Sequence, residues 1–189
     1  SSDLFYCYMT GTAMAVKETE EVSGDNFAFF EADDGNFTMV LSDGMGSGEN
    51  ACRDSEAVAD MTEAMLEAGL PLEMAVQLVN SAVASEGREE NMPTLDLCSV
   101  DLCEGSCRFM KTGAAVSLIK RGSIVEKIDG GTFPLGAFGY AQAKPAECQL
   151  MDGDYIIMLS DGMTEGWPDG DGESKLESMI GRIGAVSPG

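Results

Sequence analysis

The sequence has no histidine among its 189 residues. Catalytic triads with a histidine base, zinc sites with imidazole ligands and a histidine general acid are therefore all excluded. This is the firmest exclusion that the composition offers.

Basic residues are also scarce. Lys and Arg total 11 against 33 Asp and Glu, which gives a formal net charge of −22 at pH 7. Such a chain repels phosphate backbones and anionic lipids, so nucleic acid and membrane surfaces are poor partners. The carboxylates form either a solvated surface or sites for cations, and their positions along the chain must decide between the two.

Long hydrophobic runs are missing as well. No segment approaches the ~20 continuous apolar residues that cross a bilayer, and the N-terminus lacks a basic region followed by an apolar stretch. We expect a soluble, cytoplasmic chain without membrane contact, any membrane anchor of the full-length protein lying in segments outside it.

The six cysteines form an even number, which a disulfide framework would require. Several of them lie in apolar runs, as Cys7 does, and this is typical of free, buried cysteines. Cys103 and Cys107 are predicted to face each other across a tight hairpin, but two thiols are too few for a structural zinc site.

The length predicts a single domain, 1–189, with a sizeable core. Its last residues, 187–189, are typical of a cut within a domain, so we expect the domain to be incomplete at its C-terminus. Hydrophobic spacing predicts two consecutive helices between two groups of mainly antiparallel strands, hence an α+β fold with helices packed on sheets. The predicted strands cover 4–16, 27–32, 37–41, 94–103, 107–111, 116–120, 124–128 and 155–160, with helices at 50–69, 71–87 and, more weakly, 174–183.

One pentapeptide occurs twice: Leu41-Ser42-Asp43-Gly44-Met45 recurs as Leu159-Ser160-Asp161-Gly162-Met163. Each copy follows an apolar strand run. A carboxylate at a strand end is rigidly aimed, and the glycine after it lets the backbone carbonyl approach a cation as well. Asp-Gly is also a common turn pair, but two copies after similar strands favour a cation site.

Two further aspartates lie in comparable settings. Asp25 directly precedes a predicted strand, and Asp96 lies inside an apolar one. If Leu95 and Leu97 point one way, Asp96 points the other way, where a carboxylate needs a cation, hydrogen bonds or an exposed sheet edge. A set of carboxylates without imidazole or thiolate ligands suits hard ions such as Mg²⁺ or Mn²⁺.

These motifs occur in an order that resembles a known family. Ser23-Gly24-Asp25, the extended motif 41–49, Thr94-Leu95-Asp96 and Ser160-Asp161-Gly162 match in sequence order, as do 111–114 and 133–136. The chain is similar to the phosphatase domain of bacterial stage II sporulation protein E, in the PPM-type (protein phosphatase 2C) serine/threonine phosphatase superfamily. The resemblance covers about residues 10–170.

The resemblance implies a β-sandwich flanked by helices in αββα layers, with two Mn²⁺ or Mg²⁺ ions in a cleft at one end. Asp25, Asp43 and the Gly44 carbonyl would hold one ion, while Asp43, Asp161 and Asp96 would hold or support the other. Asp25, Asp43 and Asp161 would be the catalytic residues. The paired ions would activate a water for attack on phosphorus.

The resemblance also implies partners. The substrate would be a phosphoserine on a protein resembling an anti-anti-sigma factor. The helix pair 50–86 would be a regulatory switch and a surface for a homodimer.

Three departures from the family stand out. The chain ends before the strand with an Asp-Asp or Asp-Asn pair that normally completes the metal centre. Lys17 is the only basic residue near the place of the arginine that holds the substrate phosphate in many members. Met45 replaces the histidine that often follows the Asp-Gly pair, so metal-bound water would have to protonate the leaving serine oxygen. A catalytically silent phosphatase-fold module that binds a partner or a metal therefore remains an alternative, as does Ca²⁺ binding for stability alone.

Overall fold

The computed structural model describes residues 6–14, 22–32, 35–46, 48–87, 92–129, 133–143, 145–165 and 171–184. The strands of this part of the chain are β1 (Asp25–Glu31), β2 (Asn36–Asp43), β3 (Leu95–Asp101), β4 (Ser106–Thr112), β5 (Ser117–Arg121), β6 (Ile124–Ile128), β7 (Ala146–Gln149) and β8 (Tyr155–Ile157). Its helices are α1 (Glu49–Glu67), α2 (Leu72–Ser85), α3 (Gly162–Glu165) and α4 (Gly172–Arg182).

The strands form two antiparallel sheets. The first sheet has the order β1-β2-β3-β4-β7, and the second has the order β6-β5-β8. Helices α1 and α2 cover the outer face of the first sheet through a core cluster that includes Val58, Val76, Val40 and Leu97. Helix α4 packs on the second sheet through Ile180. The α+β fold predicted from the hydrophobic pattern and the αββα layering implied by the family resemblance are both confirmed.

The two sheets meet through a second apolar cluster, in which Cys98 and Phe109 of the first sheet contact Ile119 of the second. Leu95 and Leu97 belong instead to the helix-covered side. Because side chains alternate along β3, Asp96 points between the sheets together with Cys98, as the sequence predicted.

The ends of the two long helices follow their local sequence. Helix α1 ends before Gly69, which has a φ of 81°. The amide of Leu70 then donates to the carbonyl of Met65 at 3.1 Å, which satisfies a carbonyl in the last turn. Pro71, with a φ of −58°, immediately precedes α2 and presets its entry.

Several local predictions were wrong. The predicted strand 4–16 is absent from its described part, 6–14, and the rest of it lies outside the described residues. The edge strand β7 was not predicted, because its four residues are too few to stand out from the irregular stretch around them.

The cysteine prediction holds only in part. Cys98 is fully buried and free, but Cys7, for which burial was expected, is exposed. Cys107 lies opposite Val100 rather than Cys103, which is exposed in the turn between β3 and β4. Cys107 is joined by a disulfide to Cys148 on β7, with Cα atoms 5.3 Å apart. Sequence spacing did not reveal this pair, because strand pairing brings the two residues together across 41 positions.

None of the helices in the described ranges is long and apolar enough to cross a membrane.

Candidate metal centre

Strand pairing brings the first two candidate aspartates together. Asp25 is the first residue of β1, Asp43 is the last residue of β2, and the two are opposite each other in the antiparallel register. The amide of Gly44 donates to the carbonyl of Gly24 at 3.1 Å, so the two chains stay paired just past the strand ends. The carboxylates are therefore held side by side.

Thr94 fixes the end of β2. Its amide donates to the Asp43 carbonyl at 2.8 Å, and its hydroxyl accepts a hydrogen bond from the Asp43 amide at 3.1 Å. The Ser42 hydroxyl donates to the Thr94 carbonyl at 2.8 Å. These three bonds lock the backbone that carries Asp43.

The second pentapeptide meets the first at this point. Asp161 lies four residues beyond the end of β8, and its carboxyl group is hydrogen-bonded to that of Asp43. The hydroxyl of Ser160 donates to Oδ2 of Asp25 at 2.8 Å. Tertiary structure thus joins Asp25, Asp43 and Asp161 into one cluster, which we call the aspartate cluster.

Asp43 is the electrostatic centre of the aspartate cluster. Burial, a hydrogen bond with Asp161 and the negative charge of Asp25 raise the pKa of Asp43 to about 8 from its ordinary value of 3.8. Neighbouring carboxylates cannot all ionise without a counter-charge, so a proton is retained between them.

Asp96 lies close by but is paired differently. Its side chain is 1% exposed, and Oδ2 accepts hydrogen bonds from the Lys111 ammonium and the Ser117 hydroxyl, each at 2.5 Å. Burial raises the pKa of Asp96, and the charge of Lys111 opposes this effect. The other oxygen, Oδ1, is buried and has no hydrogen-bond partner.

A small cavity connects Asp96 to the aspartate cluster. It has a volume of about 20 Å³, and its lining includes Asp43, Asp96, Ser160 and Asp161. A space of this size accommodates about one water or one cation. It lies between the two sheets, at the end of the sandwich where β2 ends.

The donor set fits a hard divalent cation. All candidate ligands are oxygen atoms, which Mg²⁺ and Mn²⁺ prefer. A cation could replace the positive charge of the proton that Asp43 retains. It could also provide the partner that Oδ1 of Asp96 lacks. Across the described ranges, no three His, Cys, Asp or Glu side chains are arranged to hold an ion as they stand. The carboxyls hydrogen-bond to one another, so a cation would have to displace that proton and the side chains would have to turn toward it.

The two glycines of the repeated pentapeptide have unequal roles. A Cβ atom placed on Gly44 would lie 2.1 Å from the carbonyl oxygen of Ala51 in α1, whereas one placed on Gly162 would meet nothing within 4 Å. Gly44 therefore allows α1 to lie directly against the end of β2. Met45 is about half exposed next to it.

The sequence predicted the acidic residues of the site but not their polar support. Thr94, Ser160, Lys111 and Ser117 were not assigned roles, and Lys17 lies outside the described residues. Lys111 could have been found from the sequence, because a tight turn between β3 and β4 places it directly opposite Asp96. Ser117 belongs to the other sheet, and no local pattern connects it to Asp96.

Comparison with known proteins agrees with this architecture. The chain resembles the solved structure of the PP2C phosphatase domain and a fragment of the regulatory domain of the cell fate determinant SpoIIE from Bacillus subtilis. The TM-score is 0.77 and the identity 31%, over 86% of this chain and 48% of that one. The fold also resembles that of RsbX in complex with magnesium, with a TM-score of 0.69 and 22% identity over 90% of this chain and 78% of that one. The sandwich, its flanking helices and the acidic cleft define a PP2C-type phosphatase fold.

The sequence comparison narrows this class to a family. The model for stage II sporulation protein E (SpoIIE) matches residues 33–186. Stage II sporulation protein E of Bacillus subtilis (strain 168) is 36% identical over 161 residues, which cover 85% of this chain. The chain belongs to the stage II sporulation protein E family. It spans between 20% and 28% of the length of the curated relatives that it matches.

Proposed function

We propose that this chain is a metal-dependent protein serine/threonine phosphatase that hydrolyses phosphoserine on a protein substrate. The observation that carries the proposal is the aspartate cluster, assembled from β1, β2 and the segment after β8 at one end of a PP2C-type sandwich. Membership of the SpoIIE family supports the same reaction.

The proposed centre holds two divalent cations, Mn²⁺ or Mg²⁺. Asp25, Asp43 and the Gly44 carbonyl would bind one, while Asp43, Asp161 and Asp96 would bind the other. When bound, such a pair lowers the pKa of a shared water and neutralises the phosphoryl oxygens.

The residues around the cluster have supporting roles. The Ser160 hydroxyl orients Asp25, and Thr94 holds the backbone of Asp43. The apolar walls of the cavity, which include Leu41 and Leu159, limit the access of bulk water and so strengthen the electrostatic interactions inside it.

The proposed substrate is a phosphoserine on a small cytoplasmic protein of the anti-anti-sigma-factor type. Family membership supports this choice. The net charge of −22 favours a partner whose docking surface is not itself strongly acidic.

The helix pair 50–86 is a proposed surface for regulation or for a second copy of the chain. Met74 and Leu78 of α2 are exposed on it. Apolar side chains exposed on neighbouring turns of a helix are a common component of protein interfaces.

The test is phosphate release from a phosphoserine protein or peptide with and without Mn²⁺, for the wild-type chain and for Asp43→Asn. The matched control is Asp152→Asn, which changes another Asp-Gly pair in an exposed turn. Manganese-dependent release by the wild type and the control, lost by at least about 100-fold in Asp43→Asn, is the expected result. Manganese binding without any release from candidate substrates would instead support the silent binding module, and release that ignores Mn²⁺ would refute the metal mechanism.

A further inference from the structure

The interface between the two sheets contains a buried lysine. Lys111 lies on β4, directly opposite Asp96 on β3, and its side chain is 5% exposed. Its neighbours along the inner face of the first sheet, such as Phe109 and Cys98, are apolar. An ammonium group in such surroundings loses much of its hydration, which costs free energy unless polar partners replace the water.

Lys111, Asp96 and Ser117 form a closed polar triad. The Lys111 ammonium donates to Oδ2 of Asp96 at 2.5 Å and to the Ser117 hydroxyl at 2.7 Å, and that hydroxyl donates to the same Oδ2. Both donors therefore converge on one carboxylate oxygen. A carboxylate held at Oδ2 from two directions cannot rotate freely.

The triad holds only one of the two carboxylate oxygens of Asp96. Oδ1 of Asp96 is left buried and without a partner, and Asp96 lines the cavity that Asp43 and Asp161 also line. Ser117 belongs to the second sheet, so the triad also fixes the distance between the sheets at this end of the sandwich. A purely structural contact here would be served as well by apolar residues of similar volume, which carry no desolvation cost.

We propose that Lys111 is a positioning residue of the metal centre: with Ser117 it holds Oδ2 of Asp96 so that Oδ1 is presented to a cation in the cavity. This inference rests on the proposed function, because it requires a cation at the aspartate cluster. Hydrogen-bonded partners of metal ligands commonly change metal affinity by about 10–100-fold when they are removed.

Removal of Lys111 should change the metal affinity in opposite directions, depending on whether Lys111 positions Asp96 or only neutralises its charge. If Lys111 only neutralised Asp96, its removal would take a positive charge away from the cation and would leave Asp96 free to bind it, so affinity would rise. If Lys111 positions Asp96, affinity falls, because the carboxylate is no longer held in the binding geometry.

The experiment measures Mn²⁺ binding to the whole chain by isothermal titration calorimetry, together with the melting temperature of the metal-free protein. The variants are Lys111→Gln, Ser117→Ala, Asp96→Asn and each of the first two combined with Asp96→Asn. Lys120→Gln is the matched control, because Lys120 is a second buried lysine whose ammonium contacts the Gly122 carbonyl.

We expect Lys111→Gln to weaken Mn²⁺ binding by about 10–100-fold and Ser117→Ala by about tenfold, with Lys120→Gln unchanged. In the Asp96→Asn background neither change should have a further effect, since both act through Asp96. Ser117→Ala keeps both charges of the pair, so it carries the test by itself if Lys111→Gln does not fold.

Other outcomes are equally decisive. Unchanged or tighter Mn²⁺ binding in Lys111→Gln and Ser117→Ala, or unchanged binding in Asp96→Asn, overturns the positioning role alone. A wild-type chain that binds no Mn²⁺ overturns this inference and the metal-dependent function together. A chain that binds Mn²⁺ with the expected pattern but releases no phosphate leaves the positioning role in place and refutes only the enzymatic activity.

Discussion

Gly44 and Gly162 occupy the same position in two identical pentapeptides, and their surroundings differ completely. Gly44 packs against the backbone of α1, while Gly162 is the first residue of the short helix α3 and faces open space. The same glycine thus lies in a tightly packed corner in one copy and at the open start of a helix in the other. What distinguishes them is the element that happens to pack on each.

This difference predicts opposite responses to alanine. Gly44→Ala should lower the free energy of unfolding by about 3 kcal/mol, because the new Cβ would overlap with the Ala51 carbonyl, which is backbone and cannot rotate away. Gly162→Ala is the matched control and should change stability by less than about 1 kcal/mol, since it faces open space. Urea unfolding followed by circular dichroism measures both. Equal effects of the two substitutions would contradict the packing of α1 on β2.

The pKa of Asp43 predicts a pH dependence in the metal-free protein. Asp43 keeps its proton in the folded state up to about pH 8, whereas in the unfolded chain it ionises near 3.8. The unfolded state therefore gains from ionisation as the pH rises from about 4 to about 8, and the fold loses stability over that window. Solvent screening at this half-buried site limits the loss to the order of 1–2 kcal/mol, or about 2–8 °C.

Asp43→Asn should not show this loss, because an amide does not ionise. In the presence of a chelator, the difference between its melting temperature and that of the wild type should be smallest near pH 4 and should grow in favour of Asp43→Asn toward pH 8. Differential scanning fluorimetry across this range gives the comparison. A constant gap between the two proteins at every pH would show that Asp43 does not titrate in this way.

At the scale of elements, α2 holds the loop that precedes β7. The side-chain amide of Asn80 donates to the carbonyl of Phe138 at 3.0 Å and accepts from the amide of Gly136 at 2.9 Å. One turn earlier, Gln77 makes the same reciprocal pair with the backbone of Ala141, with both distances 2.9 Å. Two amide side chains on one face of α2 thus bind backbone amide and carbonyl groups of this loop, as a neighbouring strand would do in a sheet.

The same loop reaches the wall of the cavity. Gly113, which lines the cavity, has a φ of 64°, and a Cβ on it would lie 2.7 Å from the Cα of Pro134. Helix α2, the loop and the cavity wall are therefore in continuous contact.

Removing the Asn80 amide should release this loop. Asn80→Ala leaves the Gly136 amide and the Phe138 carbonyl without partners, so we expect a loss of about 2 kcal/mol in unfolding free energy. Amide hydrogen exchange should rise at 136–141 and stay unchanged in β3. Ser81→Ala is the control, since its exposed hydroxyl bonds only to its own helix and its removal should cost less than about 0.5 kcal/mol. Unchanged hydrogen exchange at 136–141 would show that the Asn80 side chain does not hold this loop in place.

At the scale of the whole molecule, the large negative net charge affects the stability of the fold. A net charge of −22 on 189 residues opposes compaction, and the repulsion is weakened by salt. Part of this charge is concentrated in the aspartate cluster, where a bound cation would offset it more effectively than diffuse counter-ions. Monovalent and divalent salts should therefore act by separable routes.

We expect NaCl, raised from 20 to 300 mM in the metal-free protein, to increase stability by on the order of 1 kcal/mol, or about 2–4 °C. At constant ionic strength Mn²⁺ should add a saturable increase, which reaches about 2.7 kcal/mol at a concentration 100 times its dissociation constant. Asp43→Asn should keep the response to NaCl and lose most of the response to Mn²⁺. Thermal melts at combined concentrations of NaCl and Mn²⁺ measure the two responses separately. A Mn²⁺ response in Asp43→Asn equal to that of the wild type would mean that the cation binds elsewhere on the acidic surface.

Much of the architecture was predictable from local patterns. The spacing of Val58, Met61 and Met65 predicted α1, and Gly69 marked its end; alternation predicted β3 and the direction in which Asp96 points. These features depend on neighbouring residues and on the geometry of one helix turn or one strand. The edge strand β7 was missed because it is only four residues long, too short for its alternation to distinguish it from a loop, and its pairing with β4 is what makes it a strand.

The sequence by itself determined which residues carry the negative charge, that no histidine takes part, and that two identical acidic turns follow strands. Only the tertiary structure decided that these turns meet, because their aspartates lie 118 positions apart and are joined through separate sheets. It also decided that Asp96 is held by Lys111 and Ser117, since one partner comes from the neighbouring strand and the other from the opposite sheet. Local sequence sets the chemistry available to each element, whereas packing of the sheets sets which of these groups share one electrostatic environment.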